Sequence, residues 1–354
     1  MTAAPAPPAV EPYQVGAGDA TTDREAVLAL WRGNLGQEDH MRAKFDWFYL
    51  GCPFGNPLLQ LLRQGAESKP IGACSAGRRR MLWQGHELRA GVLADLAVTR
   101  EHRSLGPALM LQQGLIDAAR RELDLLYGFP NPKAVPVFKR IGYRKLGQMQ
   151  RHARVLRHAR YLRRRVPVGL AAPLGLLADL AIQARDAIRS VVARRIFASW
   201  SDQADPDFDT LWERSPHGTG LLGVRDRAHA RWRFDDSPLA QARYLLLRDH
   251  AGLLQAWFAT QEDEGLLHVR DFWSQDAIAG VDTVLIDALV RAARDAGYHA
   301  LSIEMATTDS RLSNWSARGF TLRAARPLFG VWSDATTPED AELDLHLTSA
   351  DEDE

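Results

Sequence analysis

The residues best placed to do chemistry lie between 91 and 122, GVLADLAVTREHRSLGPALMLQQGLIDAARRE. One carboxylate, Asp95, interrupts an apolar run made by Val92, Leu93, Leu96 and Val98. An acid so placed is a candidate proton acceptor, and equally a hydrogen-bonded structural acid. A little further on come Arg103, Ser104, Leu105, Gly106, Pro107 and Ala108. A small-residue turn feeding a helix leaves several backbone N–H groups unpartnered and pointing one way, and the helix dipole adds to the pull on an anion. Pro107 suits the first helical turn, where its missing N–H costs nothing. The stretch therefore pairs a phosphate-binding turn with an acid. Upstream, Phe45, Trp47, Phe48 and Tyr49 form a dense aromatic cluster. Trp47 and Tyr49 are candidates for a substrate-pocket wall, with core packing as the equal alternative.

These residues need elements to position them. Gly91–Val98 predicts a buried strand, and Leu109–Glu122 an amphipathic helix with Ala108, Leu111, Leu115 and Ala118 on one face. Ahead of them, Thr22 or Asp23 caps an expected first helix through Ala26, Val27, Leu30 and Trp31. Strands are expected at Leu58–Leu62 and Ile71–Ala76 and, after the run Arg78–Arg80, at Met81–Gln84.

The order strand, Arg-x-x-Gly-x-Ala, helix resembles the acyl-CoA-binding motif of the GNAT superfamily of N-acyltransferases. Residues 125–146, LLYGFPNPKAVPVFKRIGYRKL, resemble the next strand and helix of that fold, with Asn131, Ala134, Phe138, Gly142 and Tyr143 at family spacing. The resemblance implies acetyl-CoA or another acyl-CoA as co-substrate, no metal, and acyl transfer to an amine. It places the pyrophosphate on the backbone of Arg103–Ala108. The thioester oxygen then falls on N–H groups of Leu96, Ala97 and Val98. Asn131 either bonds the pantetheine or caps the following helix. Phe138 stands where the family commonly has the tyrosine that protonates the departing thiolate, and phenylalanine has no proton to give. Ser104 replaces a common glycine.

An internal repeat follows. Trp47-x-aromatic-x-x-x-Pro53 has a counterpart in Trp232-x-Phe234-x-x-x-Pro238. Asp95 corresponds to Asp271, and the helix at 106–122 to one at 281–296. Phe138, Gly142 and Tyr143 match Trp315, Gly319 and Phe320 at a constant offset. The fold class expected is α+β, with two tandem GNAT-like mixed-sheet domains. Residues 1–12 read as a disordered leader, 13–150 as the CoA-binding domain, 151–200 as a basic helical linker, 201–335 as a degenerate copy, and 336–354 as an acidic disordered tail. In the second copy, Ser274–Asp282 lacks the phosphate motif and carries Asp276 and Asp282. Like charge beside a polyanion is unfavourable.

The chain has 354 residues, is 46% hydrophobic and 25% charged, and has no net charge. That composition describes an ordinary globular protein and gives no general pull toward nucleic acid. Two cysteines, Cys52 and Cys74, exclude a disulfide framework. The N-terminus has neither a basic start nor an apolar core, so a cytoplasmic location is the default expectation. The Arg-rich, partly apolar stretch at 151–182 also fits peripheral contact with a membrane surface. The acceptor is expected to be a small-molecule or glycan amine, an amino sugar or cell-envelope precursor being one class. Two alternatives are a non-catalytic CoA-binding scaffold and a Fem-like aminoacyl transferase.

Overall fold

The computed structural model describes residues 12–35, 38–65, 69–132, 134–157, 196–239, 241–333 and 343–353. The first half runs β1 (Tyr13–Gly18), α1 (Arg24–Trp31), α2 (Met41–Phe45), β2 (Leu58–Gln64), β3 (Gly72–Trp83), β4 (His86–Val98), α3 (Leu105–Glu122), β5 (Leu125–Gly128), α4 (Val135–Arg140) and β6 (Arg144–Val155). The second half runs β7 (Phe197–Ser201), α5 (Asp207–Arg214), β8 (Leu221–Gly223), α6 (Arg227–Ala230), β9 (Arg243–Arg248), β10 (Leu254–Asp263), β11 (Leu266–Ser274), α7 (Thr283–Asp295), β12 (Ala300–Ala306), α8 (Asp309–Ala317), β13 (Thr321–Trp332) and β14 (Leu345–Thr348). The succession from β2 to β6 is thus repeated from β9 to β13. Each half also has one π-helical turn, Asp46–Leu50 and Arg231–Asp235, that carries the aromatic motif.

All the described strands join one sheet, with main order β1-β2-β3-β4-β5-β13-β6-β12-β11-β10-β9-β7. The middle of that order shows an exchange. β5 of the first half bonds β13 of the second, β12 of the second half bonds β6 of the first, and β13 and β6 pair with each other. The ladder therefore runs unbroken through the boundary expected near residue 150. Reciprocal aromatic contacts reinforce the junction. Trp47 and Trp232 stack at 5.5 Å, and each indole N–H donates to the other's backbone carbonyl, at 2.7 and 3.3 Å. The Arg79 guanidinium lies 4.8 Å over Trp232, and that of Arg233 5.5 Å over Trp47.

Several expectations change here. The Arg78–Arg80 run does not break a strand: β3 passes straight through it, because side chains alternate across a sheet. Arg79 turns into the junction, while Arg78 and Arg80 reach Glu122, Glu87 and Asp226 on the other face. Arg151–Val155, expected to open a helical linker, instead completes β6 in the centre of the sheet. Residues 158–195 of that linker, including most of the membrane-contact stretch, lie outside the described residues, as do residues 1–11 of the expected leader, and the linker's far end is strand β7 rather than helix. The acidic tail is the largest correction. Residues 345–351 form β14 and a short helical turn, and all seven are buried.

Candidate functional site

β4 and β5 pair in parallel only over Ala90–Val92 against Leu125–Tyr127, yet β4 continues to Val98. Beyond Val92 the two strands diverge. Leu93 wedges the opening, filling the space that a side chain on Gly128 would take (a Cβ there would come within 2.9 Å of it). The part of β4 holding Leu96–Val98 thus has β3 on one side and, among the described residues, no strand on the other. A splay of this kind leaves backbone N–H groups facing a gap, as polarising a carbonyl requires.

α3 begins beside this gap. It has Ser104 as N-cap, and the serine side chain makes no capping hydrogen bond. The N–H groups of Leu105 and Gly106 precede the first intrahelical acceptor. Gly106 is exposed, and a Cβ on it would meet nothing within 4 Å, so its missing side chain leaves open surface rather than room for a packed neighbour. Gly114 does the reverse: a Cβ there would come within 2.6 Å of Val15, so this glycine seats α3 closely on β1. The helix start is therefore rigidly placed and open, and its residues fit a diphosphate. Arg103 is exposed and donates to Asn34 in the turn after α1, which ties the phosphate turn to the rim of the neighbouring cleft.

That cleft has a volume of about 420 Å³. Trp31, Leu35, Met41, Leu96 and Leu239 supply apolar wall, and Asn34, His40, Lys44, Asp95 and Asp353 supply polar groups. Two of these lining residues, Leu239 and Asp353, come from the second half. The Asp95 side chain is buried at the floor. Its carboxylate accepts from Lys44 Nζ at 2.8 Å and from the Tyr49 hydroxyl at 3.0 Å. Burial and the Asp95 charge push the Tyr49 phenol well above its ordinary range.

The remaining expected site residues fall in different places. Tyr49 is a floor residue behind Asp95, stacked on Phe45 at 4.4 Å, and does not line the cleft. Trp47 is a junction residue and also away from the wall, because a tryptophan that packs on its own counterpart has no free face. Asn131 caps the turn into α4, its side-chain oxygen accepting from the Ala134 N–H at 3.1 Å. Phe138 packs at 4.8 Å on Tyr143 and at 6.1 Å on Phe329. Tyr143 is core, as its spacing after Gly142 implied, and burial pushes its phenol well up. Trp31, Lys44 and Asp353 were missed. Trp31 was legible only as part of a helix face, Lys44 carried no signal of its own, and Asp353 sat in a tail whose charge concealed its packing.

The second half has the corresponding elements without the opening. β11 and β12 pair over Leu266–Val269 against Ala300–Ile303 and then diverge as β4 and β5 do. There β14 pairs with the free end of β12, Met305 to Thr348 and Ala306 to Leu347. Ser349 Oγ donates to the Arg270 carbonyl at 2.9 Å, and Thr348 Oγ1 to Asp271 at 2.7 Å. Arg225, fully buried, bonds both Asp271 and Asp351, at 2.7 and 2.5 Å. The second splay is filled by the chain's own last strand. The helix start is occupied as well, since the Asp282 carboxylate accepts from the Val284 N–H at 2.8 Å and places a negative charge where a phosphate would sit.

Comparison with solved structures gives the fold. A conserved protein of unknown function from Enterococcus faecalis V583, described as a probable N-acyltransferase, superposes with a TM-score of 0.66 at 10% identity, over 91% of this chain and 73% of that one. A GCN5-related N-acetyltransferase from Kribbella flavida gives 0.60 at 13% identity, over 93% and 73%. The Saccharomyces cerevisiae N-myristoyltransferase with bound myristoyl-CoA gives 0.51 at 12% identity, over 90% and 82%. No family profile matches the chain, and no curated protein does. The chain carries the fold of the GCN5-related N-acetyltransferases.

Proposed function

We propose that this protein is an acyl-CoA-dependent N-acyltransferase, most simply an acetyltransferase. Its first half holds the cofactor, and its second half is a copy of the same fold that has given up CoA. The observation that carries this reading is the contrast between the two splays: one lies open beside an uncapped helix start, the other is filled by β14 beside a helix start capped by Asp282.

The pyrophosphate rests on the Leu105 and Gly106 amides with Arg103 alongside, and the pantetheine enters the gap beyond Val92. The acceptor occupies the cleft lined by Trp31, Met41 and Leu96. Attack of a neutral amine on the thioester carbonyl forms a carbon–nitrogen bond, and negative charge collects on the oxygen. The β4 amides among Leu96, Ala97 and Val98 that face away from β3 stabilise that charge. An alkyl ammonium, of pKa about 10, must first lose a proton. Asp353 is the second carboxylate lining the cleft, and the proton leaves to it or to water. Collapse breaks the carbon–sulfur bond, and water protonates the thiolate, since Phe138 has no hydroxyl.

The acceptor class is a small-molecule amine with an apolar portion. The cleft also carries the polar groups of Asn34, His40 and Asp353, which suit sugar hydroxyls, so amino sugars belong in the test set. Phe138 favours a second reading, a CoA-binding scaffold that transfers nothing. A panel of aliphatic, aromatic and sugar amines, assayed for acetyl-CoA-dependent thiol release, separates the two. Thermal stabilisation by acetyl-CoA without release for any amine supports the scaffold. Neither stabilisation nor release refutes both.

A further inference from the structure

Asp95 is held in a backbone conformation that a strand does not ordinarily contain. Its φ is +54°, in the left-handed region that side-chain-bearing residues rarely enter. It stands where the β3–β4 register slips, between the pairs Ser75 to Ala94 and Ala73 to Ala97. A reversal at this position turns the peptide planes on either side of it relative to a flat strand, and the next residue, Leu96, emerges 41% exposed into the cleft. Such a conformation persists only where its surroundings over-determine it.

Four side-chain contacts do so here. Lys44 Nζ donates to Asp95 Oδ1 at 2.8 Å, with side-chain exposures of 9% and 4%. The Tyr49 hydroxyl donates to Asp95 Oδ2 at 3.0 Å and lies 2.7 Å from Ser75 Oγ. Ser75 Oγ is also 3.3 Å from the Ala94 carbonyl, the peptide just ahead of the reversal. Tyr49 is itself fixed between Phe45 and Trp31. The network therefore starts on α2, crosses the cleft floor, and returns to the strand that it deforms.

We infer that Lys44, Tyr49 and Ser75 are positioning residues that clamp the Asp95 carboxylate, so that the reversal in β4 holds those amides within Leu96–Val98 that face away from β3 toward the gap beyond Val92. Asp95 is then a strut and not the proton acceptor. The catalytic consequence rests on the acyltransferase reading above. The clamp itself does not, and two measurements keep them apart.

The first is hydrogen exchange of the segment 92–98 in the free protein. Tyr49→Phe keeps the stacked ring and removes only the hydroxyl, so exchange in that segment is expected to rise at least tenfold, with residues 105–115 unchanged. The second is steady-state kinetics with acetyl-CoA. Tyr49→Phe is expected to lower kcat at least tenfold while the KM for acetyl-CoA stays within twofold. Asp95→Asn still accepts from Tyr49 and is expected to retain at least a third of wild-type kcat. Asp95→Ala, which loses both contacts, falls at least thirtyfold. Asp95→Gly, which adopts positive φ freely, recovers part of that loss. Unchanged exchange in Tyr49→Phe overturns the clamp. An Asp95→Asn enzyme as inactive as Asp95→Ala, with a melting temperature near wild type, overturns it in favour of a proton acceptor. The expected exchange response in a wild-type protein that acylates no amine leaves the clamp standing and removes the acyltransferase reading instead.

Discussion

Gly106→Ala is expected to move stability and cofactor affinity in opposite directions. Gly106 lies in the first turn of α3, outside the positive-φ region, and a Cβ there meets nothing within 4 Å. Alanine relieves the entropic cost of glycine in a helix, about 0.5–1 kcal/mol. For a chain of this size that corresponds to roughly 1–3 °C in melting temperature. The same methyl group would stand where a diphosphate must approach the Leu105 and Gly106 amides. A hydrogen bond to a charged group is worth about 1.5–3 kcal/mol, so displacing one predicts roughly ten- to a hundredfold weaker acetyl-CoA binding. Melting curves across an acetyl-CoA titration measure both terms at once: a higher unliganded midpoint, and a smaller ligand-induced shift at each concentration. A variant that is more stable and binds acetyl-CoA as tightly as wild type would refute the placement of the phosphates.

Three further outcomes follow from the junction and the tail. Trp47→Ala removes one ring of a reciprocal pair and is expected to cost about 3–5 kcal/mol in urea unfolding, with the acceptor KM of the surviving folded enzyme unchanged. Asp351→Ala leaves Arg225 buried with one carboxylate instead of two, and a loss of about 3 kcal/mol by the same method is expected. His346 is buried against Phe272 and Trp273, and burial pushes its pKa down to about 3. Its folded pKa lies below the unfolded value of about 6.5, so the stability that it contributes is present above pH 6.5 and is lost as pH falls toward 3. By pH 4.5 that loss is roughly 2–3 kcal/mol, and His346→Leu should abolish this share of it in urea midpoints compared at pH 4.5 and 7.5.

Much of the first half was legible because its signals are local. An apolar run, a small-residue turn and a periodic helix placed β4, the turn from Arg103 and α3, and Asp23 marked the start of α1. The repeat was legible from Trp47 and Trp232, but its meaning was not. Two identical motifs also fit a surface that meets itself, and only the reciprocal indole bonds distinguish that from two similar pockets. Asp95 was placed and its partners were not, since Lys44 lies on α2, far away in sequence, and a positive φ has no signature in an aspartate. The tail was misread for a physical reason. Acidic residues signal solvation unless buried cations await them, and Arg225, Arg233 and Arg326, which meet Asp351, Ala350 and Glu352, are spread over a hundred residues with nothing in their spacing to link them.

Hydrogen exchange of the wild-type protein with and without acetyl-CoA tests the central claim most directly. Protection at residues 93–98 and 104–110, with 274–285 unchanged, is the predicted result. Protection confined to 274–285 would contradict it, placing the cofactor on the half assigned here to support.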